Sequence, residues 1–101
     1  MAYVEPIAAL ADPTRRQLFD RLRRRPHAVG ELARALKVTQ PAVSQHLAVL
    51  RRARLVTSRA DGNRRLYQPD PSGIARLRAY VDRMWSDVLT AYAASFERSD
   101  Q

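Results

Sequence analysis

The stretch "VTQPAVSQHLAVLRRARLV", residues 38–56, decides how the rest of the chain is read. Thr39 is a good helix N-cap, because its hydroxyl can accept from the free N–H groups of the first turn. In the helix it opens, over 40–52, Val43, Leu47 and Leu50 fall at i, i+4 and i+7 and form one buried stripe. Gln45, Ala48 and Arg52 then point away from the stripe, and Gln40, Ser44 and Arg51 run along one flank. This outward face is polar and partly small, so it can approach another surface closely. Just before it, "GELARAL" at 30–36 predicts a two-turn helix burying Leu32 and Leu36, with only "KVT" between the two helices. Just after it, "LVTSRA", the turn "DGN" and "RRLYQ" predict a β-hairpin around an Asp-Gly signal.

Further out, Tyr3, Ile7 and Leu10 share one face of a short first helix that stops before Asp12. Asp12 caps a second helix with Pro13 at its first position, where proline's missing donor is not needed. Leu18 and Leu22 point inward from it and Arg15, Arg16 and Arg23 outward, until Pro26 ends it. At the other end Pro69, Asp70 and Pro71 break the chain and start a last helix running from about 71 to the mid-90s. Ile74, Leu77, Val81, Met84 and Val88 follow 3-4-3-4 spacing, with Trp85, Leu89, Tyr92 and Phe96 beside them. That apolar arc is too wide for one face of a small domain. It predicts burial against a second copy, alongside the first helix, through Ile7, Leu10, Leu77, Val81, Met84, Trp85, Val88, Leu89 and Tyr92. The alternative is that both stripes pack within one chain.

With 101 residues, 46% hydrophobic and 28% charged, the chain reads as one soluble globular domain. Residues 12–68 are expected to form one functional core, and 1–11 and 71–97 the dimerisation helices. There is no cysteine, which excludes disulfides and thiolate metal sites. No apolar run approaches the roughly 18 residues of a membrane span, and no signal peptide is evident, so a cytoplasmic, nucleoid-associated protein is expected. The net charge of +8 is unevenly placed. Residues 1–70 carry 14 Lys and Arg against 6 Asp and Glu, whereas residues 71–101 carry 4 against 4. The first part is suited to a polyanion and the second to something else.

Two helices joined by a short turn, a polar outward face on the second, and an Arg-bearing hairpin together make a mainly α fold with a small β wing, the winged helix-turn-helix. An α-helix fits the major groove, where Gln bonds bidentately to adenine and Ser or His reaches donors or acceptors. Gln40, Ser44, Gln45 and His46 are therefore the base-edge candidates, with Thr39 and Arg52 on the same surface. The wing arginines Arg59, Arg64 and Arg65 would reach phosphates or the minor groove. His46 sits about 60° from the core stripe at 100° per residue, so packing against the third helix is its alternative role. His27, in a loop after Pro26, reads as solvated and is given no role. Ser44 and His46 do not make a nucleophile and base, because residues two apart on a helix do not face each other; no enzyme is expected. Trp85 reads as an interface or core residue, or as the wall of an aromatic cavity for an apolar effector.

The segments "LADPTRRQLFDRL", "GELARALKVTQPAVSQHLAVLRRARLV" and "DGNRRLYQ" resemble the bacterial arsenic-repressor (ArsR) family over about residues 7–68, most specifically in "QPAVSQHLAVL". The resemblance implies a homodimer built from the first and last helices, with two recognition helices on successive major-groove turns of an imperfect palindrome in double-stranded DNA. It also implies repression of a promoter, commonly the protein's own. In metal-sensing relatives the third helix begins with a Cys-x-Cys pair beside an acidic residue; aligned on Glu31, those positions here are Ala28 and Gly30. Other relatives bind zinc between the last helices, where this chain offers Asp82, Asp87 and Glu97 without a histidine. Carboxylates alone suit borderline-soft metals poorly, so no metal and no cofactor is expected. Arg54 stands where relatives usually have Gly, in the left-handed conformation that closes the recognition helix. Either Arg54 adopts that conformation or the helix ends differently.

A sequence-tolerant architectural DNA binder is the competing function, sharing the charge and the helices but relying on phosphates alone. A protein-interaction module docking through the last helix is the third.

Overall fold

The computed structural model describes residues 5–99 as α1 (Pro6–Leu10), α2 (Pro13–Arg24), α3 (Val29–Leu36), α4 (Gln40–Arg52), β1 (Val56–Asp61), β2 (Arg64–Pro69) and α5 (Pro71–Ser99). Tyr3, placed by its spacing on the face of Ile7 and Leu10, lies outside the described residues. Helices α2, α3 and α4 close around Leu18, Leu22, Leu32, Val43, Leu47 and Leu50, all fully buried, and Leu55 and Val56 seal the base of the hairpin. Each such side chain contributes about 1.5–3 kcal/mol. Leu36 is half-buried rather than buried, because the last turn of α3 opens onto a groove shared with Gln17 and Arg21 of α2.

The expected caps form. Asp12 Oδ1 accepts from the Arg15 N–H at 3.0 Å, and Thr39 Oγ1 from the Ala42 N–H at 3.2 Å. Arg15 itself departs from the outward orientation expected of it. Its Nε donates to the Ala9 carbonyl at 2.6 Å, strapping the end of α1 to the start of α2. Arg16 is exposed but also bonds back to α1, at Leu10 O and Ala11 O. A five-residue helix cannot satisfy its own last carbonyls, and two arginines supply the donors.

His27 is a second correction. It is only 7% exposed, its N–H donates to Tyr67 O at 3.1 Å, and it accepts from the Tyr67 N–H at 2.8 Å. Its ring Nδ1 lies 2.8 Å from the Arg25 carbonyl. The loop between α2 and α3 thus adds a one-residue third strand to the antiparallel β1–β2 pair and anchors the base of the wing.

At the end of α4, Arg54 takes the left-handed conformation at φ 60°. The Leu55 N–H donates to Leu50 O at 3.0 Å and the Arg54 N–H to Arg51 O at 2.9 Å, a complete Schellman ending on a residue that bears a side chain. That strain costs about 1–2 kcal/mol. The corner matters because α5 lands on it: a Cβ on Gly73 would sit 1.8 Å from the Arg54 carbonyl oxygen, and the Asp70 N–H donates to Leu55 O at 2.9 Å. Only glycine lets the first turn of α5 approach the exit of α4 so closely.

The next turns of α5 run past α1, where Leu77 and Tyr80 line a groove with Pro6 and Ile7, and from there the helix leaves the body of the protein. At 29 residues it is about 43 Å long. The described residues extend 68 × 28 × 24 Å with a radius of gyration of 18.1 Å, against about 13 Å for a compact chain of this size. Val81, Met84, Trp85, Val88, Leu89, Tyr92 and Phe96 are 43–62% exposed. The chain therefore does not cover the stripe by itself. Among the described residues no helix is long and apolar enough to cross a membrane.

Candidate nucleic-acid interface

The outward face of α4 is built by its own periodicity. With Val43, Leu47 and Leu50 held in the core, Gln40, Ser44, Gln45, Arg51 and Arg52 are exposed, and none of their side chains has a hydrogen bond or ion pair among the described residues. Ala48, half-buried between them, keeps the centre of the face shallow. Thr39 is exposed; its oxygen is engaged by the cap, which leaves the hydroxyl proton to donate outward.

His46 stands apart from these side chains. It is half-buried on the flank opposite Gln40, about 120° around the helix axis. It lies near enough to Asp12, at the start of α2, to contribute to the lowering of that carboxyl. The Asp12 carboxyl is held below its ordinary range first by the Arg15 N–H, with further lowering from the charges of Arg15 and His46.

The sequence reading passed over Arg34. On the outer side of α3, its Nη1 lies 3.6 Å from where a Gly30 Cβ would be, and Gln40 Nε2 lies 3.7 Å from the same point. Arg34 is exposed and without an ion pair among the described residues, so a free guanidinium flanks the first residue of α4 across the turn. The available signal was its position opposite Leu32 and Leu36 on α3, one short turn before Gln40.

The wing pairs Asp61 with Arg64, Ala60 with Arg65 and Arg59 with Leu66 around Gly62, which adopts φ +64°. Directly opposed residues share a face, so Arg59 and Arg64 lie on one side of the ribbon and Arg65 on the other. Arg59 Nε approaches Gln68 Oε1 at 3.5 Å and Arg65 Nη1 donates to Ser58 Oγ at 3.1 Å; both partners are neutral. Arg64 is different, lying 3.4 Å from Asp61 Oδ2 and 3.6 Å from Glu31 Oε1.

Of the residues expected at a subunit interface, Ile7, Val81, Met84, Trp85, Val88, Leu89 and Tyr92 are exposed, whereas Leu10 and Leu77 are half-buried within the chain. The Tyr92 and Phe96 rings meet edge to face at 4.7 Å. Trp85 is 62% exposed on the open stripe. Asp82, Asp87 and Glu97 are exposed along α5, and among the described residues no three His, Cys, Asp or Glu side chains gather as a metal site.

A buried three-helix unit, an exposed polar second helix and a hairpin packed at its exit define a winged helix-turn-helix DNA-binding protein. Residues 12–58 match the family described as "Bacterial regulatory protein, arsR family". The chain is 60% identical over 85 residues to the HTH-type transcriptional regulator Rv2034 of Mycobacterium tuberculosis, covering 84% of this chain and 79% of that one. A crystal structure of a possible transcriptional regulator for arsenical resistance superposes with a TM-score of 0.75 at 41% identity, over 91% of this chain and 96% of that one. An ArsR-like transcriptional regulator from Rhodococcus sp. RHA1 superposes with a TM-score of 0.77 at 27% identity, over 87% and 83%. This chain belongs to the ArsR family of bacterial transcriptional regulators, whose members bind DNA and are not enzymes.

Proposed function

We propose that the protein is a homodimeric, sequence-specific repressor acting at its own or a neighbouring promoter. Residues 12–68 read the DNA, and the first helix and residues 71–97 join the two copies. Gln40, Ser44 and Gln45 face base edges in the major groove, Thr39, Arg34 and Arg52 its phosphate walls, and Arg59 and Arg65 the adjoining backbone or minor groove. His46 positions α4 against α2. The observation that carries this reading is the row of exposed side-chain amide, hydroxyl and guanidinium groups on α4, which have no partner among the described residues and can exchange water for base edges and phosphates. A dimer supplies the second half-site, and an imperfect palindrome follows from its two-fold axis. Occlusion of the promoter then needs no further domain.

Fluorescence anisotropy of the protein against the DNA upstream of its own gene and against scrambled DNA, over a salt series, tests this. The expected result is binding at two protomers per site, at least about 10³-fold tighter than to scrambled DNA. Equal and steeply salt-dependent binding to both, and to every sequence in a random-duplex selection, identifies a sequence-tolerant architectural protein instead.

A further inference from the structure

Glu31 is the most connected carboxylate in the described structure, and major-groove reading alone does not account for it. At the third position of α3, its Oε1 accepts from the Ala28 N–H at 3.0 Å, which aims the group back over the loop that precedes the helix. Its Oε2 accepts from both Nη atoms of Arg25 at 3.2 Å. Arg64 of the wing comes to 3.6 Å from Oε1 and to 3.4 Å from Asp61. The Ala28 N–H and the Arg25 guanidinium keep Glu31 ionised, in that order of effect.

From this arrangement we propose that Glu31 limits the affinity of the DNA interface, holding Arg64 in an ion pair so that the wing's charge is withheld from sequence-independent phosphate contacts. The proposal rests on the DNA-binding reading given above. All three wing arginines are exposed, yet Arg59, on the same side of the ribbon as Arg64, and Arg65, on the other, have only neutral partners, whereas Arg64 lies between two carboxylates. Each arginine that neutralises a phosphate strengthens binding to every sequence and adds about 0.9 to the salt slope. Keeping one arginine engaged therefore lowers binding to DNA of any sequence and flattens its salt dependence, without touching the base-reading face of α4. The wing does not depend on this ion pair for its position, because the His27–Tyr67 backbone pair and the packing of Leu66 already hold the hairpin on the body. Glu31 acts on the charge that the wing presents more than on the fold. Arg25 supports it by keeping the carboxylate in place from the other side.

The test is Glu31→Gln, which keeps an acceptor for the Ala28 N–H but removes the charge, measured by anisotropy on a scrambled duplex over a salt series. The expected result is tighter binding at low salt, by up to about fivefold because Asp61 still faces Arg64, with a slope steeper by up to about 0.9. In an Arg64→Ala background the same substitution gives no gain. Asp20→Asn, which removes a carboxylate paired among the described residues only with Arg23 at 2.9 Å, changes net charge equally and gains less. As an independent reading, Arg64→Ala alone costs less affinity for scrambled DNA than Arg59→Ala, on the same side of the ribbon, does. A gain from Glu31→Gln that persists without Arg64, or that Asp20→Asn reproduces, overturns the inference and leaves the DNA-binding reading standing. Absence of binding by the unsubstituted protein to any duplex, at any salt, overturns both.

Discussion

The body formed by α1 to α4 and the hairpin, and the long helix α5, obey opposite rules. In the body Leu18, Leu22, Leu32, Val43, Leu47 and Leu50 are fully buried and the exposed positions carry the positive charge. In α5 beyond its first turns the large apolar side chains from Val81 to Phe96 stand about half exposed, and the charge of residues 71–101 balances at 4 against 4. The body buries its large apolar side chains, wholly or in part, apart from Ile7 of α1, and what it presents outward is mainly polar. Helix α5 is satisfied in its backbone and incomplete in its apolar partners. An exposed apolar stripe of this length marks an interaction surface, so one chain carries two unfinished surfaces that call for different partners.

The join between the two regions should be as sensitive as the core itself. Gly73→Ala places a Cβ 1.8 Å from the Arg54 carbonyl oxygen, in backbone that has no rotamer to yield. A loss of about 3 kcal/mol is expected, read by urea unfolding, together with displacement of α5 from the α4 exit. Unchanged stability would mean that α5 is not seated there.

Within the body, Leu47→Ala should cost about 2–5 kcal/mol at every protein concentration. By contrast, Val88→Asp on the stripe should leave the body folded and lower the melting temperature only where the unsubstituted protein is associated. If Val88→Asp destabilises equally at all concentrations, α5 packs on its own chain and the distinction between the two regions fails.

At the reading face, Gln45→Ala should cost about 1–3 kcal/mol on operator DNA and relax one base position, with little change on scrambled DNA. A uniform loss across sequences would assign Gln45 to the backbone. The smallest effects concern strain and pH. Arg54→Gly removes a side chain from the left-handed region and should gain about 0.5–1 kcal/mol after the added freedom of the unfolded glycine, seen as a raised melting temperature. Asp12 and Glu31 both ionise more readily in the folded protein than at their ordinary values of 3.8 and 4.5. Their contribution is therefore complete above those values and is lost as pH falls through the lower folded ones. Asp12→Asn with Glu31→Gln should flatten the acid limb of a melting-temperature profile.

Much of this was legible in the sequence because it is local. Thr39, Asp12 and the i, i+4, i+7 stripe of α4 are governed by residues within a turn or two, and the Asp-Gly signal placed the hairpin. Arg54 was visible as an anomaly, and the fold resolves it by bearing the strain. What escaped depends on residues distant in sequence. The burial of His27 comes from pairing with Tyr67, forty positions away, and no local pattern announces it. Arg15 sits on a helix face that periodicity calls outward, yet α1 lies over it. The Glu31–Arg64 ion pair links α3 to the wing across the sheet. Arg34 was missed because an arginine on the outside of α3 looks like ordinary solvent-facing charge until the turn sets it beside Gln40.

The central claim is that a second copy covers the α5 stripe, and sedimentation velocity across a concentration series measures it directly. The account predicts a species of twice the 11.5 kDa chain mass that Val88→Asp converts to monomer. A single species of 11.5 kDa at all concentrations, with the stripe left open to water, would contradict it.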